Sequence, residues 1–238
     1  MAVLQKPLIV EFFGRPGAGK TTLTHGLVAR LMKELGIQAG MSRVGYWYIH
    51  RFVRDKKLRL FLNKYLTEVR FRHHPYLAEG VLSQYLDELR NQENDQEKVS
   101  TRSRLLIRDL VHYLMVGRSS AGYVSVLDEG LAQRGISGEL SGISTDTLKS
   151  HFRLMPLAHI FVHVRVENQS IKRRLIKRDG TDAKYVREES LNNVLYELKK
   201  RDGVILEVDG SHQLDESVTD ILSFVSSTYL DISSEPRK

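Results

Sequence analysis

The sequence predicts an α/β protein, a three-layer sandwich in which a parallel five-stranded sheet carries helices on both faces and an inserted helical subdomain. Five apolar runs bounded by turn residues recur along the chain, and longer stretches with helical periodicity lie between them. Strands that alternate with helices pair in parallel through crossovers, which covers both faces of the sheet. A glycine-rich turn follows the first run and opens a helix.

The first run, LIVEFF, begins at Leu8, and the helix after the turn is predicted from about Lys20 to Leu35. The later runs are QAGMSRVGY, GYVSVLDEG, HIFVHVRV and GVILEVDG. The fourth of the five is apolar almost without interruption from Ile160 to Val166, as expected for a strand buried on both faces. No repeat or linker marks a second independent domain, so residues 1–238 are predicted to form a single domain.

The region from 48 to 117 differs from the rest of the chain. About seventy residues separate the second and third runs, far more than one crossover needs. Helical patterns occupy HPYLAEGVLSQYLDELRNQ and RSRLLIRDLVHYLMV, with the polar segment QENDQEK between them. We therefore predict a helical subdomain inserted at one end of the sheet.

Composition limits the classes of function. With no cysteine in 238 residues, a disulfide framework, a thiolate metal site and a cysteine nucleophile are excluded. No apolar stretch approaches the ~20 residues that span a bilayer, and the N-terminal apolar run is interpreted as a strand, so we expect a cytoplasmic protein without membrane insertion. The net charge of +7 suits phosphorylated substrates or nucleic acid. Nucleic acid is the less favoured partner, because the basic residues are scattered and show no binding motif.

The turn GRPGAGKT fits the spacing G-x-x-x-x-G-K-[ST] and predicts a phosphate-binding site. Glycines allow backbone N–H groups to converge on a phosphate chain, and the following helix directs its N-terminal dipole at the anion. Lys20 is expected to reach the β- and γ-phosphates, and the Thr21 hydroxyl to bind Mg²⁺. The predicted nucleotide-binding residues of the turn are Gly14, Arg15, Pro16, Gly17, Ala18, Gly19, Lys20, Thr21 and Thr22.

This turn resembles that of the P-loop NTPase superfamily, and GRPGAGKTTL resembles the form found in small-molecule kinases, above all thymidylate kinase and related nucleoside and nucleotide kinases. The resemblance implies a P-loop sheet, the cofactors ATP and Mg²⁺ and a small-molecule phosphate acceptor. The sequence leaves the oligomeric state open, and a homodimer is one expectation. One departure is visible. Thymidylate kinases usually carry a Glu before the first loop glycine and an Asp within the loop, whereas this chain has Phe13 and Arg15-Pro16 there, with Glu11 two residues before Phe13.

Asp128 and Glu129 directly follow the third apolar run. Ligands of parallel sheets sit at the carboxyl ends of strands, so an acid there would face Lys20 and the phosphates. Asp128 could hold Mg²⁺, and either acid could accept a proton from an attacking hydroxyl. The alternative is that Asp128 caps the next helix and Glu129 is a solvated turn residue. Related kinases have an arginine directly after this acid, and here the arginine comes later, as Arg134.

A lid-like segment is predicted at 167–187, where the related kinases carry phosphate-binding arginines. Arg174 and Arg178 are four residues apart and share a helical face, with Arg173 beside them and Gly180 ending the helix. Arginines there could neutralise the charge on the moving phosphoryl group. The alternative is a solvated basic helix. In the fifth run, the sequence Asp209, Gly210, Ser211 resembles the turn that lies beside adenine in nucleotide kinases.

The acceptor would bind between the loop and the inserted helices. Arg43 follows the second strand together with Tyr46 and Trp47, and Arg104 and Arg108 lie one turn apart on the helix that leads to the third strand. Arginine fits phosphate bidentately, so these residues could bind an anionic acceptor. The alternative is that the aromatic residues are core and the arginines face water.

The leading functional hypothesis is a kinase that transfers the γ-phosphate of ATP to a nucleotide, nucleoside or other small acceptor. The alternative is a P-loop ATPase that acts as a switch or motor on a macromolecular partner. A GTPase is disfavoured, because the chain lacks an Asn-Lys-x-Asp guanine motif.

Overall fold

A computed structural model describes residues 7–41, 71–116, 123–179 and 188–234 of the chain. The strands are β1 (Leu8–Gly14), β2 (Ala39–Met41), β3 (Val124–Leu127), β4 (Ile160–Arg165) and β5 (Ile205–Asp209). The helices are α1 (Lys20–Glu34), α2 (Pro75–Ala78), α3 (Val81–Gln92), α4 (Gln96–Val116), α5 (Leu131–Glu139), α6 (Thr145–Leu154), α7 (Asn168–Asp179), α8 (Glu188–Lys200) and α9 (Leu214–Ser234).

The five strands form one sheet in the order β2-β3-β1-β4-β5, and every pair is parallel. The central strand β1 pairs with β3 through Leu8 and Val124, and with β4 through Val10 and Ile160. The carboxyl ends of β1 and β3 therefore lie side by side. The predicted fold class, an α/β sandwich with a parallel five-stranded sheet, is confirmed.

Alternation along the strands divides the core into two layers. In β1, Ile9 and Phe13 face one layer, whereas Val10 and Phe12 face the other. The first layer packs against helices α3, α4, α5, α6 and α8, and the second against α1, α7 and α9. Each fully buried aliphatic or aromatic side chain contributes about 1.5–3 kcal/mol of transfer free energy, so both layers anchor β1 firmly.

The described part of the helical region between β2 and β3 contains three helices, where the sequence patterns indicated two. The pattern from His74 to Gln92 divides into α2 and α3, because Gly80 takes a left-handed φ of 72° at their junction. The strand β2 ends at Met41, and residues 42–70 lie outside the described ranges. The subdomain limits of 48–117 and the lid limits of 167–187 stay predictions. Within the described ranges, none of the helices has both the length and the apolar character needed to cross a membrane.

Candidate active site

The glycine-rich loop connects β1 to α1 at the centre of the sheet. Gly14 lies against β4, where an added Cβ would be 2.5 Å from the carbonyl oxygen of Val164, so only glycine fits. Gly19 caps α1 with a left-handed φ of 94°. The Ala18 N–H donates to the Arg15 carbonyl at 3.2 Å. The loop is thus a tight backbone turn at the positive end of a helix dipole, which suits an anion.

Lys20, the first residue of α1, is buried inside this loop, with 6% of its surface exposed. Its Nζ donates to the carbonyl oxygens of Gly14 at 3.1 Å and Arg15 at 3.0 Å. The ammonium group therefore lies in the hollow that the backbone forms. A positive charge at that point favours phosphate oxygens in the same hollow.

Thr21 and Asp128 meet across two neighbouring strands. The Thr21 hydroxyl donates to Oδ2 of Asp128 at 3.4 Å, and the two residues come close because β1 and β3 are neighbours in the sheet. A hydroxyl and a carboxylate are oxygen donors of the kind that Mg²⁺ prefers, and such sites use few protein ligands together with substrate phosphates. The residues present therefore fit Mg²⁺. Through the described ranges, no cluster of three or more His, Asp or Glu side chains offers a further metal site.

Helix α5 begins at Leu131, and its N-cap is Gly130. Asp128 therefore does not cap it, so the alternative of a purely capping role for that residue is wrong. Asp128 instead faces the loop through its contact with Thr21.

Glu129 belongs to a network of ion pairs that extends from the surface to the buried Asp109. Arg134 Nη1 lies 3.3 Å from Oε2 of Glu129, and Arg134 Nε donates to Asp109 at 2.8 Å. Asp109, on α4, is fully buried and also accepts from Nε of Arg108 at 2.6 Å. Burial raises the pKa of Asp109, and the two guanidinium groups oppose that rise. Arg134 thus holds Glu129 in place from a buried position.

A second buried acid, Glu11, was not among the predicted site residues. It is fully buried in β1 and accepts hydrogen bonds from the Tyr113 hydroxyl and, at Oε1, from the backbone N–H groups of Ala132 at 2.8 Å and Gln133 at 3.2 Å. Burial is the main cause that raises its pKa to about 7. A charged residue inside the apolar run LIVEFF was the available sequence signal.

One arginine of α7, Arg174, lies beside the loop. Arg174 donates through Nη2 to the Gly210 carbonyl at 3.1 Å and through Nη1 to the Gly17 carbonyl at 3.4 Å. Arg173 is exposed next to it. The side chain of Arg178 and residues 180–187 lie outside the described part of the chain, as does Arg43 with Tyr46 and Trp47.

The turn after β5 also lies against the loop. Asp209 Oδ1 accepts from the Ser211 N–H at 2.8 Å and from its hydroxyl at 2.6 Å. An added Cβ on Gly210 would be 2.6 Å from the carbonyl oxygen of Ala18. The structure therefore brings Gly210 and Arg174 to the loop, and Ser211 follows Gly210 in the same turn.

The predicted acceptor residues on α4 differ in their surroundings. Arg108 is half-buried and pairs with Asp109, whereas Arg104 is exposed. The sequence analysis did not predict the ion pair between Arg108 and Asp109. A part in acceptor binding stays a prediction for both arginines.

A cavity of about 1050 Å³ adjoins the loop on the α8 side. Arg15 lines it and pairs with Glu188 at 3.1 Å. His163 also lines it, stacked on Phe13 with ring centroids 4.9 Å apart. Burial lowers the pKa of His163 to about 4, so this ring is neutral at pH 7.

The parallel sheet, with the glycine-rich loop at the end of its central strand and an acid at the end of the neighbouring strand, is an α/β P-loop fold. Solved structures similar to it include deoxyadenosine kinase from M. mycoides with bound dCTP, at 15% identity and a TM-score of 0.46, over 92% of this chain and 100% of that one. The structure of that kinase with bound dATP matches at 16% identity and a TM-score of 0.47, over the same shares.

Thymidylate kinase from Ehrlichia chaffeensis matches at 11% identity and a TM-score of 0.48, over 92% of this chain and 99% of that one. The sequence matches no protein-family model and no curated protein.

Proposed function

We propose that the protein is an ATP- and Mg²⁺-dependent small-molecule kinase, which transfers the γ-phosphoryl group to a nucleotide, a nucleoside or another small acceptor. The observation that carries this proposal is the contact between Thr21 and Asp128 beside the buried ammonium group of Lys20. A glycine-rich loop, a cation inside it and an oxygen pair for Mg²⁺ form the set of groups that phosphoryl transfer needs.

Each group of residues has its own part in this proposal. Loop amides from Gly14 to Thr22 and the ammonium of Lys20 bind the β- and γ-phosphates. Thr21 and Asp128 would hold Mg²⁺, which would supply positive charge beside the phosphates. Arg174, with Arg173 and Arg178 on the same helix, closes over the phosphates, and Gly210 and Ser211 lie beside the base.

Glu129 is the acid that we assign to the acceptor. Asp128 is directed at Thr21, whereas Glu129 is held by Arg134 and is 43% exposed, so it can reach an incoming hydroxyl. It would orient that hydroxyl and take its proton. Arg43, Arg104 and Arg108 remain the proposed acceptor-binding residues, and a cytoplasmic location and a homodimer remain predictions.

ADP release across a panel of nucleosides, nucleoside monophosphates and sugar phosphates tests this function. We expect at least one acceptor to stimulate ADP release well above basal hydrolysis, and Lys20→Met to lower the stimulated rate by roughly 10²-fold or more, since it removes a preorganised charge at the γ-phosphate. Lys33→Met, at an exposed position on the same helix, should leave the rate unchanged.

Basal ATP hydrolysis that no acceptor stimulates would contradict the kinase proposal. It would favour instead an ATPase that acts on a macromolecular partner.

A further inference from the structure

We infer that Glu11 is a positioning residue: from the central strand it fixes the turn that carries Asp128 and Glu129, and so sets their distance from the phosphate-binding loop. This inference rests on the proposed function, because it assigns Glu11 a part in the same site. Glu11 contacts no proposed substrate group. It acts through the backbone of α5.

The first contact is a helix cap supplied by another element. The N-cap of α5 is Gly130, which has no side chain to accept hydrogen bonds from the first turn. Oε1 of Glu11 takes that place and accepts from the N–H groups of Ala132 and Gln133. These are the second and third residues of the helix, the donors that an N-cap side chain ordinarily satisfies.

The second observation is the close approach of the turn to this carboxyl group. An added Cβ on Gly130 would be 2.6 Å from the carboxyl carbon of Glu11, so the turn lies directly against it. Gly130 is only two residues after Asp128. A displacement of Gly130 therefore moves the acid pair.

The third observation is a return contact from α5 to the loop. The side-chain oxygen of Gln133 accepts from the N–H of Gly14, the first loop glycine, at 3.1 Å. Glu11 and Gly14 belong to one strand, and both are bonded to the beginning of α5. Two hydrogen-bonded connections between β1 and the beginning of α5 resist both rotation and translation of α5 relative to β1. The pairing of β1 with β3 alone would not fix the turn, because the turn lies beyond the end of β3.

A purely structural helix cap would stabilise the fold without influencing the metal site. The effect of Mg²⁺ on ATP binding distinguishes a purely structural cap from a residue that positions Asp128. Asp128 contributes to ATP binding through the metal, whereas the loop amides bind the phosphates without it. We define the metal coupling as the ratio of the dissociation constants of ATP in EDTA and in excess Mg²⁺, both measured by titration calorimetry on the full chain.

Glu11→Gln keeps an acceptor oxygen for both N–H groups, and Glu11→Leu has similar bulk but no acceptor. We expect Glu11→Gln to retain the metal coupling within about twofold. We expect Glu11→Leu to lower it about tenfold, a shift of about 1.4 kcal/mol, while the dissociation constant in EDTA changes by less than about twofold. A folded Glu11→Leu protein with unchanged coupling would overturn the inference.

Gly130→Ala provides a second route if Glu11→Leu fails to fold, since it displaces the turn while Glu11 remains. Gly130→Ala should lower the metal coupling. Adding Glu11→Ala to it should not lower the coupling further, because the clash at Gly130 and the cap of α5 both involve the Glu11 carboxyl group. Gly40→Ala is the matched control, since an added Cβ there meets nothing within 4 Å. Full additivity of the two substitutions, or unchanged coupling in Gly130→Ala, would also overturn the inference.

The outcome for the wild-type protein keeps the two proposals apart. If the wild-type protein does not bind ATP, the proposed function fails and the inference about Glu11 fails with it. If it binds ATP with a clear metal coupling that the variants leave intact, only the inference about Glu11 fails.

Discussion

At the scale of single residues, Asp128 shows how an acid gains a role from its neighbours. Its hydrogen bond from Thr21 joins the end of β3 to the start of α1 across 107 residues of sequence. Glu129, one residue later, turns instead toward Arg134. Two consecutive carboxylates thus face two different partners, which is why we assign one to the metal and the other to the acceptor.

Asp128→Asn tests that division of roles. The amide keeps the size of the side chain but removes its charge, so we expect the Mg²⁺ concentration for half-maximal turnover to rise about tenfold or more. Asp146→Asn, an exposed substitution in the first turn of α6, is the control and should leave this concentration unchanged. Steady-state rates over a Mg²⁺ titration at saturating ATP provide the measurement. An unchanged midpoint in Asp128→Asn would refute the metal-binding role.

At the scale of elements, α5 is the helix that most tightly constrains the site. Its N-terminus is capped by Glu11, its Gln133 reaches the loop, and its Arg134 joins Glu129 to the buried Asp109. Its other face is packed without spare volume. An added Cβ on Gly135 would overlap the ring of Phe152, and one on Gly138 would overlap the hydroxyl of Tyr85.

Gly135→Ala should therefore destabilise the protein, although alanine is ordinarily the better helix former. The overlap with Phe152 forces that ring or α5 to move, and we expect the free energy of unfolding to fall by about 1–3 kcal/mol. Urea denaturation at pH 7 measures the change, with Gly40→Ala as the control for a glycine that has free space. A gain in stability at Gly135 would show that α5 is less closely packed than its contacts indicate.

At the scale of the whole molecule, buried titratable groups make the stability depend on pH. Burial lowers the pKa values of His112, His151 and His163 to about 4 from an ordinary 6.5. Between those values the unfolded chain binds more protons than the folded one, so each histidine favours unfolding as the pH falls. Glu11 acts in the opposite sense, because its raised pKa gives stability that is present below 4.5 and is lost as the pH rises through about 7. Asp109, whose pKa burial also raises, acts in the same sense as Glu11. The three histidines outnumber these two carboxyl groups, so acid should destabilise the protein.

His163→Gln tests the acid dependence at a single position. The variant cannot take up the proton, so the decrease in the free energy of unfolding between pH 7 and pH 4 should be smaller than in the wild type by up to about 3 kcal/mol. His212→Gln is the control, since that side chain is 60% exposed. Urea denaturation at pH 7, 5.5 and 4 provides the comparison. Equal pH dependence in the His163 variant and the wild type would contradict the assignment of a buried, neutral ring.

Features that depend on residues close together in the sequence could be predicted from the sequence alone. The apolar runs predicted all five strands and their parallel pairing, because a strand buried on both faces has to be apolar almost throughout. The loop from Gly14 to Thr21 was equally clear, since a phosphate cradle depends on consecutive backbone N–H groups. Asp128 was predicted to face the loop because acids at strand ends meet at one edge of a parallel sheet.

The contacts that organise the site were decided only by the tertiary structure. Glu11 and Ala132 are 121 residues apart, Arg134 and Asp109 are 25 apart, and Gly14 and Gln133 are 119 apart. No spacing rule relates such pairs, because the order of strands in the sheet and the packing of α4 and α5 bring them together. The sequence by itself thus determined a phosphate-binding α/β fold. The tertiary structure decided which buried partners hold its acids in place, since burial strengthens those hydrogen bonds and ion pairs and makes their loss costly.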